Sequence, residues 1–446
     1  MSTKTIILLF ILGFLIGLLV LCYVPSYTNH LKSDDRGYDV MANNILTGHG
    51  FSGAESPPFE PNVTRTPGYP IFLALIYSLF GRNYNAVFII QIIMSNLTAL
   101  LVYFIAFKSF VSYKKQIASL SYILVLFCPF LWFLAKMLFT ETLFTFLVTL
   151  SILLITVALE RNSYWLFFTS GLITGIALLT RPTLLLLPIF LVLLIILAGI
   201  KRDKFSSLVK KNIVYITAVM LMWSPWIIRN YIVFKEFIPL TAGISGAFFY
   251  MGTLPPYRYS TEFFYKEEEK RFDDYLSKAG NTKAIIALDN EYKKDAFKRI
   301  KEMPLTYFKY TLQRIPILWL SSFSHYFGLE TPLRKLTGEL RNKILQKQNF
   351  MRELMIILIK LSLIFINILY VSTAVVGIVL LSKYWRKYYP LLMIPLYFTL
   401  IHMVLGRADA RYALPAYPIM LIFSAYGLLF IQGQLKKYFY KGWKLV

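Results

Sequence analysis

Long apolar segments constrain the fold of this chain more than any other feature. Several uninterrupted runs reach the roughly 20 residues that a helix needs to cross a bilayer, and hydrophobic residues make up 57% of the sequence. The first run, residues 5–24, ends without a small-residue cleavage site, which favours a retained helix over a signal peptide. The sequence therefore predicts an all-α polytopic membrane protein.

The apolar segments are separated by polar loops of unequal length. We expect about 10–13 transmembrane helices in a single membrane domain over residues 1–446. A first outer loop at 25–85 and an outer cap at 231–352 are expected to lie outside the bilayer. The piece PGYPIFLALIYSLFG in that first loop predicts an interfacial helix, whereas YFKYTLQRIPILWLSSFSHYFG in the cap fits either an interfacial helix or an extra span. The candidate spans are residues 5–24, 87–107, 117–135, 142–159, 165–179, 183–200, 213–228, 354–381, 389–405 and 412–431.

The charge distribution predicts the orientation. The net charge is +24, but Lys and Arg cluster in short loops on one side of the predicted spans, as expected for a cytoplasmic face. We therefore expect no nucleic-acid partner. Cys22 and Cys128 lie in apolar runs without the CxxC spacing of a metal site. The active face is expected to be the outer face of a bacterial-type plasma membrane.

Acids and arginines converge on that outer face. Asp34 and Asp35 follow the first span, Glu141 begins a later one, and Arg181 ends another. One such charge alone is explained equally well as an interfacial anchor, but several at one face indicate a site. A carboxylate at the water boundary can take a proton from a hydroxyl, and arginines can neutralise a leaving phosphate.

Six short motifs in a fixed order carry a family resemblance along most of the chain. The set resembles the integral-membrane C-type (GT-C) glycosyltransferases, specifically the polyprenyl-phosphate-sugar-dependent, family 39-like branch that contains protein O-mannosyltransferases and aminoarabinose transferases. The resemblance implies a helical bundle with outer interfacial helices, a cavity for a polyprenyl phosphate, and inversion at the anomeric carbon. The motifs are DDRGYDVMANNILTGHGF, RTPGYP, FTETLF, LTRP, WSPWIIRNY and GRADARYALPAYP.

The resemblance also implies roles for individual residues. The acid four residues before Tyr38, Asp34, takes the place of the catalytic carboxylate. Asp35 takes that of a second acid, which is often Glu in the family, and Glu141 that of an acid at the outer end of a span. The expected donor-phosphate or substrate ligands are Tyr38, Arg65, Arg181, Arg229, Arg407, Arg411 and Tyr412.

The expected function is transfer of a sugar from a polyprenyl-phosphate donor to a hydroxyl acceptor, which is a protein, lipid or glycan. Two alternatives stay open. A lipid-linked sugar flippase or other transporter would also need a cationic cavity, and an O-antigen polymerase or ligase would also use outer arginines. No cofactor is certain. His30, Asp34, Asp35 and His49 lack a strong ligand spacing, so a divalent cation remains only an alternative.

Overall fold

The computed structural model describes residues 1–23, 34–199, 205–256, 281–320, 333–346, 349–406 and 409–442. The named elements of these ranges are all helices. Pro182–Leu184 and Leu414–Ala416 are single 3-10 turns. The α-helices are α1 (Thr3–Tyr23), α2 (Asp34–Leu46), α3 (Gly68–Phe80), α4 (Tyr84–Ser109), α5 (Lys114–Leu126), α6 (Pro129–Leu134), α7 (Glu141–Arg161), α8 (Tyr164–Thr180), α9 (Leu187–Gly199), α10 (Phe205–Phe234), α11 (Ile244–Met251), α12 (Asn281–Glu302), α13 (Pro304–Leu320), α14 (Leu333–Leu345), α15 (Met351–Ser382), α16 (Trp385–Val404), α17 (Ala410–Ala413) and α18 (Tyr417–Gly442).

Six helical segments of the described ranges are long and apolar enough to cross a membrane. They lie in α1, α4, α7, α10, α15 and the stretch Ala410–Gln434, which includes α17 and most of α18. Shorter apolar helices include α3 and α8. The predicted all-α polytopic fold is confirmed.

One predicted span is wrong as a continuous helix. Residues 117–135 divide into α5 and α6, because α5 ends at Leu126 and α6 begins at Pro129. Pro129 has no backbone N–H to donate within a helix, so it fits the first helical position, where the N–H has no intrahelical partner. A similar break precedes α9, where Pro182 starts a 3-10 turn instead of a straight helix from residue 183.

Buried hydroxyls and glycines join α7, α8 and α10 into the centre of the bundle. The hydroxyl of Ser151 lies 2.9 Å from that of Ser170 and 2.7 Å from that of Thr174, to which the Tyr215 hydroxyl donates at 3.0 Å. A Cβ on Gly171 would meet the Tyr215 carbonyl at 2.4 Å. Small residues and hydroxyls of this kind let helices approach closely in apolar surroundings.

A buried lysine holds the end of α1. The Lys136 ammonium donates to the carbonyls of Val20 and Leu21, each at 3.1 Å. Those carbonyls belong to the last turn of α1, where a positive charge is favourable and intrahelical donors are missing. The chain between α6 and α7 therefore fixes the helix end that precedes α2.

The predicted cap contains packed helices in its described parts. Asp289 of α12 is buried and accepts bonds from the Gly246 N–H at 2.6 Å and the Ser245 hydroxyl at 3.1 Å, which join α12 to α11. The segment YFKYTLQRIPILWLSSFSHYFG, for which two topologies were expected, lies in α13 as far as Leu320, where that helix ends. Helix α13 contains Pro316. The buried Arg314 of α13 donates to the carbonyls of Gly252 and Met403 at 2.5 and 3.2 Å.

Candidate active site

Helix α2 begins with the two adjacent aspartates, Asp34 and Asp35. Tyr38 lies one turn later on the same face as Asp34. The Arg65 guanidinium contacts both residues: it donates to Asp34, and its Cζ lies 5.2 Å from the Tyr38 ring centroid. The helix is anchored by Asp39, a fully buried carboxylate. Asp39 accepts bonds from the Tyr77 and Tyr84 hydroxyls at 2.8 and 3.0 Å and from Arg82 at 2.5 Å.

Arg65 is positioned by a turn and by a close approach to α8. The Asn62 side-chain oxygen accepts bonds from the N–H groups of Thr64 and Arg65 at 2.9 and 3.0 Å, which closes the turn. A Cβ on Gly68 would meet the Leu179 carbonyl oxygen at 2.7 Å, so only glycine lets this loop pack on the end of α8. The RTPGYP and LTRP motifs are therefore neighbours.

Arg181 points inward because of the proline that follows it. A residue before proline is driven out of the helical region, and Arg181 has φ −143° and ψ 126°. This extended residue ends α8 and turns its side chain toward Glu141. One guanidinium nitrogen of Arg181 lies 2.8 Å from Glu141 Oε1, and the Arg181 side chain is 9% exposed.

Arg411 joins the two carboxylates. Asp409 caps the short helix α17 by accepting the Arg411 N–H at 3.0 Å. The Arg411 Nη2 then donates to Asp34 Oδ2 at 3.2 Å, and its Nε donates to Glu141 Oε1. Its guanidinium lies over the Phe139 ring, 4.4 Å from the centroid. Tyr412 lies beside both Arg181 and Arg411, with guanidinium-to-centroid distances of 5.3 and 5.8 Å.

Five charged side chains thus alternate in one ion-pair chain. The order is Arg65, Asp34, Arg411, Glu141, Arg181. Three guanidinium groups face two carboxylates, so these five groups carry a net charge of +1 when all are ionised. Such a surplus next to a partly exposed acid favours an anionic ligand.

The two aspartates at the start of α2 have different electrostatics. Burial raises the pKa of Asp34, but the charges of Arg65 and Arg411 and their hydrogen bonds outweigh it, so this pKa lies below its usual value. The pKa of Asp35 is raised, mainly by burial and also by the negative charge of Asp34, against hydrogen bonds from backbone N–H groups. Arg36 pairs instead with Glu55 at the surface.

Glu141 lies deeper than Asp34. Its side chain is 0% exposed, whereas that of Asp34 is 26% exposed. A cavity of about 10 Å³, the size of about one water molecule, adjoins Glu141 and is lined by Ser95, Thr98, Thr142 and Thr145 among others. Glu141 therefore contacts arginines on one side and adjoins a small cavity, also lined by Leu131 and Leu134, on the other.

Not every predicted site residue joins this cluster. Arg229 donates to the Asn62 carbonyl at 3.2 Å and to the Asn230 side chain at 2.9 Å, and its guanidinium lies 4.8 Å from the Trp226 ring centroid. It holds the loop before Arg65 against α10 rather than pairing with Asp34 or Glu141. Arg407 and His30 lie outside the described residues. His49 stacks on Phe59, with ring centroids 3.9 Å apart.

A cation site is not assembled by the described residues. No group of three His, Cys, Asp or Glu side chains in those ranges is close enough to hold a metal ion. Both oxygens of Asp34 accept bonds from arginines. Asp34 thus presents guanidinium-bound oxygens rather than open metal ligands.

Three supporting residues were missed by the sequence reasoning. Asp39 anchors α2, Phe139 lies under the Arg411 guanidinium, and Lys136 caps α1. Lys136 had a detectable signal, since it is a charge that directly follows the predicted span 117–135. Asp39 had no separate signal, because it lies among the other charges of the DDRGYD stretch. Phe139 had none, because one aromatic residue in an apolar run is typical of any membrane helix.

The comparisons with known proteins cover the sequence and the fold. The family model for dolichyl-phosphate-mannose-protein mannosyltransferase matches residues 64–228. No curated protein sequence matches at a significant level. The matched segment includes Arg65, Glu141 and Arg181, and it ends before Arg229.

Solved structures resemble the whole chain at low sequence identity. The oligosaccharyltransferase AglB from Archaeoglobus fulgidus, in complex with an inhibitory peptide and a dolichol-phosphate, gives a TM-score of 0.55 at 13% identity over 97% of this chain and 51% of that chain. The Archaeoglobus fulgidus oligosaccharyltransferase tethered with an acceptor peptide gives 0.57 at 13% identity, over 98% and 51%. This chain thus spans about half the length of those proteins.

ArnT from Cupriavidus metallidurans, bound to undecaprenyl phosphate, gives a TM-score of 0.43 at 13% identity over 96% of this chain and 77% of that chain. The predicted resemblance is confirmed in that residues 64–228 match the dolichyl-phosphate-mannose-protein mannosyltransferase family model and the fold of the chain is similar to that of the oligosaccharyltransferase AglB.

Proposed function

We propose that this protein is an inverting glycosyltransferase that moves a sugar from a polyprenyl-phosphate-linked donor to an acceptor hydroxyl. One observation supports this most strongly. Asp34, the candidate base, lies between Arg65 and Arg411, which come from distant parts of the chain. A base beside two fixed cations is the arrangement required when a hydroxyl attacks while a phosphate leaves.

The reaction is a single displacement. The acceptor oxygen forms a bond to the anomeric carbon while the bond from that carbon to the phosphate oxygen breaks, and the electron pair leaves with the phosphate. Asp34 takes the proton of the acceptor hydroxyl. Attack opposite the leaving group inverts the anomeric carbon.

The arginines stabilise the charge that develops on the leaving group. A phosphodiester donor carries one negative charge, which matches the net +1 of the ion-pair chain, and the released polyprenyl phosphate gains a second. Guanidinium groups held by Tyr38, Phe139 and Glu141 need little reorganisation as that charge grows. Arg65 and Arg411 are the proposed phosphate ligands because both donate hydrogen bonds to Asp34, the candidate base.

The remaining predicted site residues receive different roles. Glu141 holds Arg411 and Arg181 in place, consistent with its complete burial, and does not itself exchange a proton with the acceptor. Asp35 adjoins the base and is proposed to orient the acceptor hydroxyl. Arg229 supports the Arg65 loop.

The position of the ion-pair chain favours an enzyme over a transporter. Glu141 is the first residue of α7, Arg181 follows the last residue of α8, and Arg411 precedes α18. These charges lie at helix ends, whereas transporters place theirs near the bilayer midplane. A site at one membrane boundary suits a lipid-borne donor and an aqueous acceptor, and we propose that this boundary is the outer face.

Sugar transfer by the purified protein tests the proposal. With a radiolabelled polyprenyl-phosphate sugar as donor, we expect Asp34→Asn to lose on the order of a hundred- to ten-thousand-fold in rate, as for removal of a general base. Glu160→Gln is the matched acid-to-amide control, because Glu160 pairs with Lys108 far from the site. Near-normal transfer by Asp34→Asn would exclude this mechanism and favour the transporter.

A further inference from the structure

Both oxygens of the candidate base are already occupied. Asp34 Oδ1 accepts from Arg65, and Oδ2 accepts from Arg411 at 3.2 Å. A carboxylate held in this way has few lone pairs left for an acceptor hydroxyl. Yet the same two arginines are the proposed phosphate ligands, so the phosphate and Asp34 compete for them.

The ion-pair chain has an accessible half and a buried half. The side chains of Arg65 and Asp34 are 24% and 26% exposed, whereas those of Glu141 and Arg181 are 0% and 9% exposed. An arriving anion can therefore reach the bonds to Asp34 but not the bonds to Glu141. Arg411 belongs to both halves, because its Nη2 faces Asp34 and its Nε faces Glu141.

We propose that the donor phosphate replaces Asp34 as the partner of Arg65 and Arg411 and thereby releases the Asp34 carboxylate to act as base. This inference rests on the proposed function. Arg411 stays on Glu141 through its Nε, so only its Nη2 changes partner. The rings of Tyr38 and Phe139 lie against the two guanidiniums and hold them in position when the carboxylate leaves.

The exchange orders the reaction. Before the donor binds, Asp34 is masked by two guanidiniums and does not activate an acceptor. After the donor binds, the phosphate is neutralised and the base is free in one step. The base is therefore uncovered only when a leaving group is present.

The exchange has a consequence that a simple supporting role for Asp34 would not have. Because Asp34 competes with the phosphate, removing its charge should strengthen phosphate binding. The gain should be on the order of tenfold, the size expected for one hydrogen bond to a charged group. This gain in phosphate affinity should also require the arginines. Removing the Asp34 charge should therefore strengthen binding less in a protein that already lacks Arg65 or Arg411.

The experiment measures binding rather than turnover. A fluorescent short-chain polyprenyl phosphate is titrated at neutral pH into the full-length protein in detergent, for the wild type and for Asp34→Asn, Asp34→Glu and Asp35→Asn. We expect Asp34→Asn to bind about tenfold more tightly. Asp34→Glu keeps the charge and should show no gain. Asp35→Asn removes a neighbouring negative charge without freeing either arginine, so its gain in phosphate affinity should be clearly smaller than that of Asp34→Asn.

The outcomes separate this inference from the proposed function. Unchanged or weaker binding by Asp34→Asn, in protein with wild-type thermal stability, overturns the exchange, as does an equal gain in Asp35→Asn. If Asp34→Asn fails to fold, Asp34→Ser decides, because it also removes the charge that competes for Arg65 and Arg411: tighter binding than the wild type supports the exchange, and equal or weaker binding overturns it. Tighter binding by Asp34→Asn, together with a wild-type protein that transfers no sugar, would keep the exchange of partners and remove the glycosyltransferase proposal.

Discussion

Arg411 is the residue on which the geometry of the site depends most. Its guanidinium donates to both Asp34 and Glu141 from different nitrogens. A lysine ammonium is a point charge on a flexible stem and cannot reproduce two donors in a fixed plane. The guanidinium of Arg411, and not only its positive charge, should therefore be required for full activity.

We expect Arg411→Lys to lower sugar transfer by about ten- to hundredfold, equivalent to one or two charged hydrogen bonds, and Arg411→Ala to lower it further. Arg36→Lys is the control, since Arg36 belongs to an exposed pair with Glu55, and such pairs contribute little. Initial rates at saturating acceptor measure the effect. Equal rates for Arg411→Lys and the wild type would mean that charge alone suffices.

The pH dependence follows from the pKa of Asp34. In the free protein its pKa lies below the usual 3.8 because Arg65 and Arg411 outweigh the effect of burial, so it is ionised at any pH above that value. The pH profile of kcat/KM reports the free enzyme and that of kcat the donor complex. We expect the acid limb of kcat at a higher pH than that of kcat/KM, because the donor phosphate draws the arginines away and adds negative charge. Coincident limbs would contradict this expectation.

The elements of the site are brought together by close contacts between loops and helix ends. The turn that carries Arg65 packs on the last residues of α8, and the Thr66 hydroxyl donates to the Thr180 carbonyl at 3.0 Å. Gly68 makes this contact sterically allowed, because a side chain would collide with the backbone of Leu179. Gly68 thus allows the close packing of turn and helix that brings Arg65 near Arg181.

We expect Gly68→Ala to displace the Arg65 turn and to cost about 1–3 kcal/mol in the free energy of unfolding, as overpacking does. Transfer should fall by about a hundredfold, since a shift of about 1 Å at a catalytic group has that effect. Gly338→Ala is the matched control, because a Cβ there meets no atom within 4 Å. Thermal unfolding and transfer rates measure both changes. A Gly68→Ala protein like the wild type in both would show that the turn can yield.

Sequence reasoning succeeded where chemistry is local and failed where it depends on the fold. The helices were predictable from the length of the apolar runs and the motif residues at their ends from the family resemblance, and the predicted spans 165–179 and 183–200 placed a boundary at Arg181. Which arginine pairs with which acid was not predictable, because Arg411 and Glu141 are far apart in the chain. Arg229 illustrates the limit, since its motif WSPWIIRNY follows a predicted span as Arg181 does, yet Arg229 packs on Trp226 instead of joining the ion-pair chain.

At the scale of the whole molecule, α7 separates two charged ends. Its 21 residues span about 30 Å, the thickness of the bilayer core. Glu141 and the ion-pair chain lie at one end. At the other, Lys108 and Glu160 are 3.0 Å apart and Lys211 donates to Asn162. The basic end fits the cytoplasmic side, because short loops rich in Lys and Arg remain there.

We expect a cysteine at Glu55 to be labelled from outside intact cells and a cysteine at Lys115 to be labelled only after the membrane is opened. Glu55 is exposed on the predicted outer loop that carries Arg65, and Lys115 is an exposed residue in the first turn of α5. Cys22 and Cys128 are first replaced by Ser and Ala, so that the membrane-impermeant maleimide has one target. A cysteine at Lys114 repeats the inner position and controls for local reactivity. Labelling of Lys115 and not of Glu55 in intact cells would reverse the orientation and place the candidate site on the cytoplasmic face, where the donor and acceptor would also have to be.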